Sequence, residues 1–211
     1  MYGAYPAYRS KTKSISTLED RMQGCFMYSM NAVASPSGKA PDLGSDIYRD
    51  LITYMAWLAD GAPAGEKMRG ALYPKVKKEA DYDIGRGLKV YQQNCALCHG
   101  ANGEGTREAS GKMKFPPLWG PDSYNWGAGM ARIDTAAGFI KANMPMGKPW
   151  SLTDQEAWDV AAFMNSHERP KDPRQTGTIE QARDEFHPNE QSYYGKMLNG
   201  KLIGQGVAQA R

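Results

Sequence analysis

Apolar positions recur with a helical period over several stretches of the chain, and segments dense in glycine and proline separate them. Ser16-Thr17 opens the first stretch. Leu18, Met22, Cys25 and Ser29 follow at helical spacing, with Glu19 and Asp20 in the first turn, where the helix dipole favours acids. In the second stretch Ile47, Leu51, Met55 and Leu58 share a face; Ser45 or Asp46 caps it and Gly61 stops it. Asp83 caps a third helix in which Gly87 and Tyr91 stand one turn apart. A glycine there lets a crossing helix approach closely, and the aromatic fills the angle. A short helix begins at Asp134 and carries Ala137, Ile140 and Lys141. Thr153 and Glu156 form a capping box before a last helix whose buried stripe is Ala157, Val160, Ala161 and Met164.

The intervening segments are equally informative. Residues 1–15 are polar, Tyr-rich loop, and 31–44, with Pro36, Gly38, Pro41 and Gly44, are loop as well. Residues 61–82, with Lys75, Lys77 and Lys78, read as a linker. After the third helix, Gly100, Gly103, Gly105 and Gly111 lead into Phe115-Pro116-Pro117-Leu118-Trp119-Gly120, an irregular segment with large side chains able to cover a flat group. The pattern predicts an all-α chain: a small helical unit over 1–60, the linker, a second unit over 83–167, and an extended tail over 168–211 anchored by Tyr193-Tyr194 and packed over the domains.

A length of 211 residues accommodates one large or two small domains. Net charge is +3 with acids and bases interspersed, which argues against nucleic acid and against an anionic membrane surface as partner. Apolar runs are short and interrupted, so no membrane span is expected.

The chemistry centres on Cys95-Ala96-Leu97-Cys98-His99, the attachment signature of haem c. One helical turn puts both sulfurs along a porphyrin edge, where they form thioethers with its vinyl groups, and His99 becomes the proximal iron ligand. A zinc site would need a second ligand pair at matching spacing, and the remaining candidates, Cys25, His167 and His187, do not supply one. A thioredoxin-like pair would require neither the histidine nor a Met-Pro loop. Haem displaces much of the apolar core a small domain needs, so two compact cytochrome modules fit the length.

The distal ligand is sought among twelve methionines. Met22, Met55 and Met164 lie on helix faces and read as core. Met144 differs: it lies in Asn143-Met144-Pro145-Met146-Gly147, between two helices, where Pro145 holds the backbone extended. It is the favoured ligand, with Met146 and Met130 as alternatives. Cys25, the odd cysteine, reads from composition as a small buried hydrophobe.

Thr17 to Asn31, Tyr54-Met55-Ala56-Trp57-Leu58, Phe115 to Gly120, Gly127-Ala128-Gly129-Met130, Ala157-Trp158-Asp159-Val160-Ala161 and the tail with Arg169-Pro170 and Asp172-Pro173-Arg174 together resemble the dihaem thiosulfate dehydrogenases. The Cys-ligated sulfur-oxidising cytochromes are more distantly similar. The resemblance covers nearly the whole chain. It implies a class I cytochrome c fold in two tandem modules, the N-terminal one incomplete, and coupling of two thiosulfates to tetrathionate or the reverse. It implies that Cys95, Cys98, His99 and Met144 hold the electron-transfer haem, with Asn143 where some members carry a lysine. Cys25 would correspond to the thiolate ligand of the catalytic haem. Arg21 and Arg9 are candidates for a doubly charged sulfur oxyanion, against the alternative that each is a solvated surface charge.

The sequence departs from that pattern in one respect. The family's catalytic haem has its own Cys-x-x-Cys-His upstream of the ligand cysteine, and residues 1–24 contain neither cysteine nor histidine. Met1 to Lys13 also lacks the apolar region of an export signal, although haem c is assembled outside the energised membrane and a periplasmic location is expected. Both features are accounted for if the chain starts inside the first domain of a dihaem enzyme. The alternative is a monohaem cytochrome acting as an electron carrier, or as a subunit of a larger redox complex, with Cys25 a free or modified thiol. Either reading calls for one covalent haem c in this chain and a redox partner protein.

Overall fold

In the computed structural model, which describes residues 2–65 and 72–208, the chain divides into two compact units, residues 1–72 and 73–211. Each is described by itself. Among the described residues no helix is long and apolar enough to cross a membrane.

The first unit opens with a short antiparallel hairpin, β1 (Ala7–Arg9) and β2 (Ser14–Ser16), in which Tyr8 faces Ile15. Thr17 then caps α1 (Leu18–Gly24) through a reciprocal box with Asp20, giving two otherwise orphaned donors their acceptors. Leu18 and Met22 are buried, as their spacing predicts. The helix does not continue regularly. From Cys25 to Ser29 it widens into a π turn, closed by the Met30 amide on the Cys25 carbonyl at 3.0 Å.

α2 (Asp46–Leu58) follows the loop, but its inward face differs from the predicted one. Tyr48 is fully buried, its ring edge-on to Phe26 and its hydroxyl donating to the Pro41 carbonyl at 2.9 Å. Leu51, Ile52 and Met55 pack beside it, whereas Ile47 and Leu58 are exposed, Leu58 by 61%. The helix carries two adjacent apolar stripes. A tyrosine whose hydroxyl finds a buried acceptor fills the core better than the aliphatic stripe one step round.

In the second unit, Asp83 caps α3 (Ile84–Asn94) by accepting from the Arg86 amide at 2.7 Å. The short α4 (Ala96–His99) continues almost directly. Hairpin β3 (Thr106–Arg107) and β4 (Met113–Phe115) leads to α5 (Ile133–Asn143) and then α6 (Asp154–Asn165), opened by the Thr153–Glu156 box. α3 and α6 cross at Gly87: a Cβ there would lie 2.0 Å from the Asp159 carbonyl oxygen and 2.7 Å from Phe163 Cβ. Asp159 also ties the helices through its carboxylate, which accepts from the Asp83 amide and from Arg86 Nε at 2.7 Å. Ala157, Val160, Ala161 and Met164 are buried as expected, together with Tyr91, Trp119 and Trp126.

The tail is more structured than predicted. It holds α7 (Ile179–Phe186) and a hairpin, β5 (Met197–Leu198) with β6 (Lys201–Leu202), and Tyr193, Tyr194 and Ile203 belong to the second unit's core. Fully buried Asp172 organises it: Arg174 Nη2 donates to the carboxylate at 2.6 Å and His187 Nε2 lies 2.8 Å away, with Tyr194 stacked on the imidazole. The predicted linker is also partly packed. Residues 66–71 of it lie outside the described residues, but Tyr73 meets Phe139 edge-on, the Val76 carbonyl accepts from Trp158 Nε1, and Tyr82 stacks on Trp158. The described residues are therefore mostly helical, with three two-stranded ladders among them added to the predicted all-α set.

Two outcomes follow. Gly87→Ala should destabilise the second unit by about 1–3 kcal/mol, the cost of overpacking, read as a lower urea midpoint; an unchanged midpoint would mean the helices separate without cost. Burial alone would raise the Asp172 carboxyl, but the bonds from His187 and Arg174, with Arg174's charge, outweigh it and hold it well below the usual carboxylate range. A depressed folded value gives stability that is complete above the unfolded value of about 3.9 and is lost as pH falls below it. Stability should accordingly decline below about pH 4, and Asp172→Asn should flatten that decline in acid-unfolding curves.

Candidate haem-binding site

The α3–α6 crossing fixes where α3 ends, and the two attachment cysteines begin there. The Cys95 amide donates to the Tyr91 carbonyl at 2.8 Å, and the Cys98 and His99 amides both donate to the Cys95 carbonyl, at 3.1 and 2.9 Å. One tight turn thus carries Cys95, Cys98 and His99, and both sulfurs are half-buried and unpaired. Burial, with Cys98 beside it, pushes the Cys95 thiol up to about 11. That works against a thiolate-based redox pair, which needs a depressed thiol.

His99 is oriented by backbone. Its Nδ1 lies 2.8 Å from the Pro116 carbonyl oxygen, an acceptor only, so Nδ1 carries the proton and Nε2 keeps its lone pair. A metal-ligating histidine is held in orientation by such a bond from its other ring nitrogen. The Pro116 carbonyl is positioned in turn: the Leu118 amide donates to the Gly103 carbonyl and the Gly105 amide to the His99 carbonyl, both at 2.8 Å. Gly103 cannot be substituted, because its φ is +70° and a Cβ would lie 2.3 Å from the Trp119 ring.

Met144 caps the C-terminus of α5, its amide donating to the Ile140 carbonyl at 2.8 Å. It is half-buried and packs against the same apolar cluster as Cys95. Lys141 closes the loop that follows: its carbonyl accepts from the Trp150 amide at 2.9 Å and its Nζ donates to the Leu152 carbonyl at 2.6 Å. Met146, in the same loop, is 70% exposed, while Met130 also packs on the cluster. Asn143 turns back to its own helix, donating to the Phe139 carbonyl at 2.9 Å. The residues fit haem c: two free thiols and an imidazole with its lone pair available share one turn, and a thioether packs on the core they border. Among the described residues no group of three or more His, Cys, Asp or Glu is placed to hold a metal ion.

In the first unit, the π turn begins at Cys25, and Arg21 Nη1 lies 2.8 Å from its sulfur. Lys11 sits over the Tyr28 ring of the same turn, 3.8 Å from its centroid. The structure thus brings Arg21 to Cys25. Arg9 lies on β1 opposite Ser14, and no hydrogen bond joins its guanidinium to Cys25. Sequence reasoning missed the roles of the Pro116 carbonyl and Lys141; the irregular 115–120 segment was the signal for the first, and nothing distinguished the second.

A family model described as cytochrome c matches residues 84–168. A thiosulfate dehydrogenase of Stutzerimonas stutzeri is 48% identical over 209 residues, which covers 98% of this chain and 66% of the relative. A thiosulfate dehydrogenase of Thiomonas intermedia is 50% identical over 96% of this chain and 63% of its own length. The solved structure of thiosulfate dehydrogenase (TsdBA) from Marichromatium purpuratum, in its as-isolated form, superposes with a TM-score of 0.92 at 50% identity, over 98% of this chain and 44% of that one. The chain therefore spans about two thirds of the length of these two curated relatives.

Met144→His should lower the haem midpoint potential, since a thioether ligand raises it, whereas Met146→His and Met130→His should leave it unchanged. A potential that moves only with Met130 would reassign the ligand.

Proposed function

The chain belongs to the c-type cytochromes of the thiosulfate dehydrogenase family, and from that premise we propose that it moves electrons between a sulfur oxyanion and a redox partner protein through one covalent haem c. Cys95 and Cys98 would attach the group, His99 and Met144 would hold its iron, and haem c would supply one-electron chemistry. The substrate is thiosulfate: joining two of them through a new S–S bond gives tetrathionate and releases two electrons, with no net proton. The partner protein accepts those electrons, and the reverse reaction consumes them. The setting is the periplasm, where haem c is assembled.

The observation that carries the catalytic half is the contact of Arg21 Nη1 with Cys25 Sγ at 2.8 Å, at the head of a π turn. π turns inside helices recur at functional sites. A guanidinium beside a sulfur can bind the charge of a dianion next to the atom that meets it. We assign Arg21 to substrate binding and Arg9 a supporting charge on β1. We read the first unit as part of a cytochrome c-like module in which Cys25 would ligate a second haem. One attachment motif, at Cys95, occurs in these residues, and a second covalent haem would need another.

The test is thiosulfate-dependent reduction of ferricyanide by haem-loaded protein. Cys25→Ser should lower the rate on the order of 100-fold, the scale lost with a group at the reacting atoms, without changing the absorbance of the Cys95/Cys98 haem. A haem-loaded protein that is equally active without Cys25, or never reduced by thiosulfate, would leave the chain an electron carrier.

A further inference from the structure

Arg169 is fully buried, yet no carboxylate among the described residues forms an ion pair with it. Its neighbour Glu168 is engaged elsewhere. That carboxylate accepts from Trp126 Nε1 at 3.0 Å and from the amides of Gly204, Gln205 and Gly206 at 2.8, 3.2 and 3.2 Å. Neutral groups satisfy the guanidinium instead: Nη1 donates to the Leu118 carbonyl at 3.2 Å, and Nη2 to the Met164 carbonyl at 3.1 Å and to Asn165 Oδ1 at 3.2 Å. Nε finds no acceptor among the described residues. The faces of Tyr124 and Trp126 lie 4.2 and 4.9 Å from the guanidinium carbon. An arginine stays charged even here. The site therefore carries a permanent positive charge out of reach of solvent and without a salt-bridge partner, an arrangement with a standing energetic cost.

Its location gives that cost a use. Leu118, whose carbonyl Arg169 holds, is two residues beyond Pro116, whose carbonyl orients His99. Leu118 is thus pinned at both ends, its amide on Gly103 and its carbonyl on Arg169. Reduction of a haem adds one negative charge to the site, and a buried cation bonded to the segment that orients His99 favours that state, since charge and burial are among the levers that set a haem's potential.

We propose that Arg169 is a positioning residue that, by its unpaired charge and its hold on the segment orienting His99, raises the potential of the Cys95/Cys98 haem. This rests on the haem reading above. The test is an equilibrium redox titration, followed by haem absorbance, of haem-loaded wild type, Arg169→Gln, Arg169→Lys and Asn165→Asp. The last variant keeps the arginine and sets a near-isosteric carboxylate against Nη2. Arg169→Gln and Asn165→Asp should each shift the ratio of oxidised to reduced haem at fixed potential by on the order of tenfold toward oxidised, equal to about 59 mV for a one-electron couple. Arg169→Lys, which keeps the charge, should retain most of the wild-type potential. Should Arg169→Gln fail to fold, Asn165→Asp decides. Wild-type potentials in the neutralising variants, or a Lys variant that falls as far as Gln, would overturn the proposal. Wild type without haem absorbance would instead remove the reading beneath it.

Discussion

Everything in the second unit is hung from the close crossing of α3 and α6 at Gly87. Two helices can touch backbone to backbone only where one lacks a side chain, and here the Asp159 carbonyl and Phe163 Cβ occupy the space a Cβ would need. The Asp159 carboxylate, bonded to Arg86 and to the Asp83 amide, fixes the same contact in polar terms. Once the crossing is set, the end of α3 is set, and with it the turn carrying Cys95, Cys98 and His99. The end of α6 is set by the same contact, and Arg169 follows it.

The site itself is built largely from main-chain atoms. The Pro116 carbonyl aims His99, the Gly103 and His99 carbonyls hold the loop between, and Lys141 closes the loop that presents Met144. Regular helix offers few such carbonyls, because its own ladder uses them. An irregular, glycine-rich segment leaves them free to orient a ligand. Large side chains brace its irregular backbone, Trp119 against Gly103 above all. The first unit follows a related logic on a smaller scale: the regular α1 gives way to a π turn where Cys25 meets Arg21.

Much of this was legible in the sequence, for definite reasons. Caps and boxes are local, so Thr17, Asp83 and Thr153 announced their helices correctly. The attachment motif is local too, and Gly87 with Tyr91 announced the crossing because that contact demands one particular residue. What failed depended on partners distant in sequence. The inward face of α2 turned on a hydroxyl acceptor at Pro41 that periodicity does not encode. α7 and the tail hairpin were hidden by polar composition; their packing depends on Tyr193, Tyr194 and the Asp172 cluster rather than on long apolar stripes. Arg169 read as one more charge in a polar tail, and only the fold shows it enclosed by aromatic rings and carbonyls.

The central claim is that the turn at the end of α3 holds a covalent haem through Cys95 and Cys98. The most direct measurement is intact mass under denaturing conditions, on protein produced in a host that matures c-type cytochromes. The claim predicts the polypeptide plus one haem, resistant to solvent extraction, and the bare polypeptide for the double variant Cys95→Ala/Cys98→Ala. A bare polypeptide in the wild type, or a haem that stays bound without the two sulfurs, would contradict it.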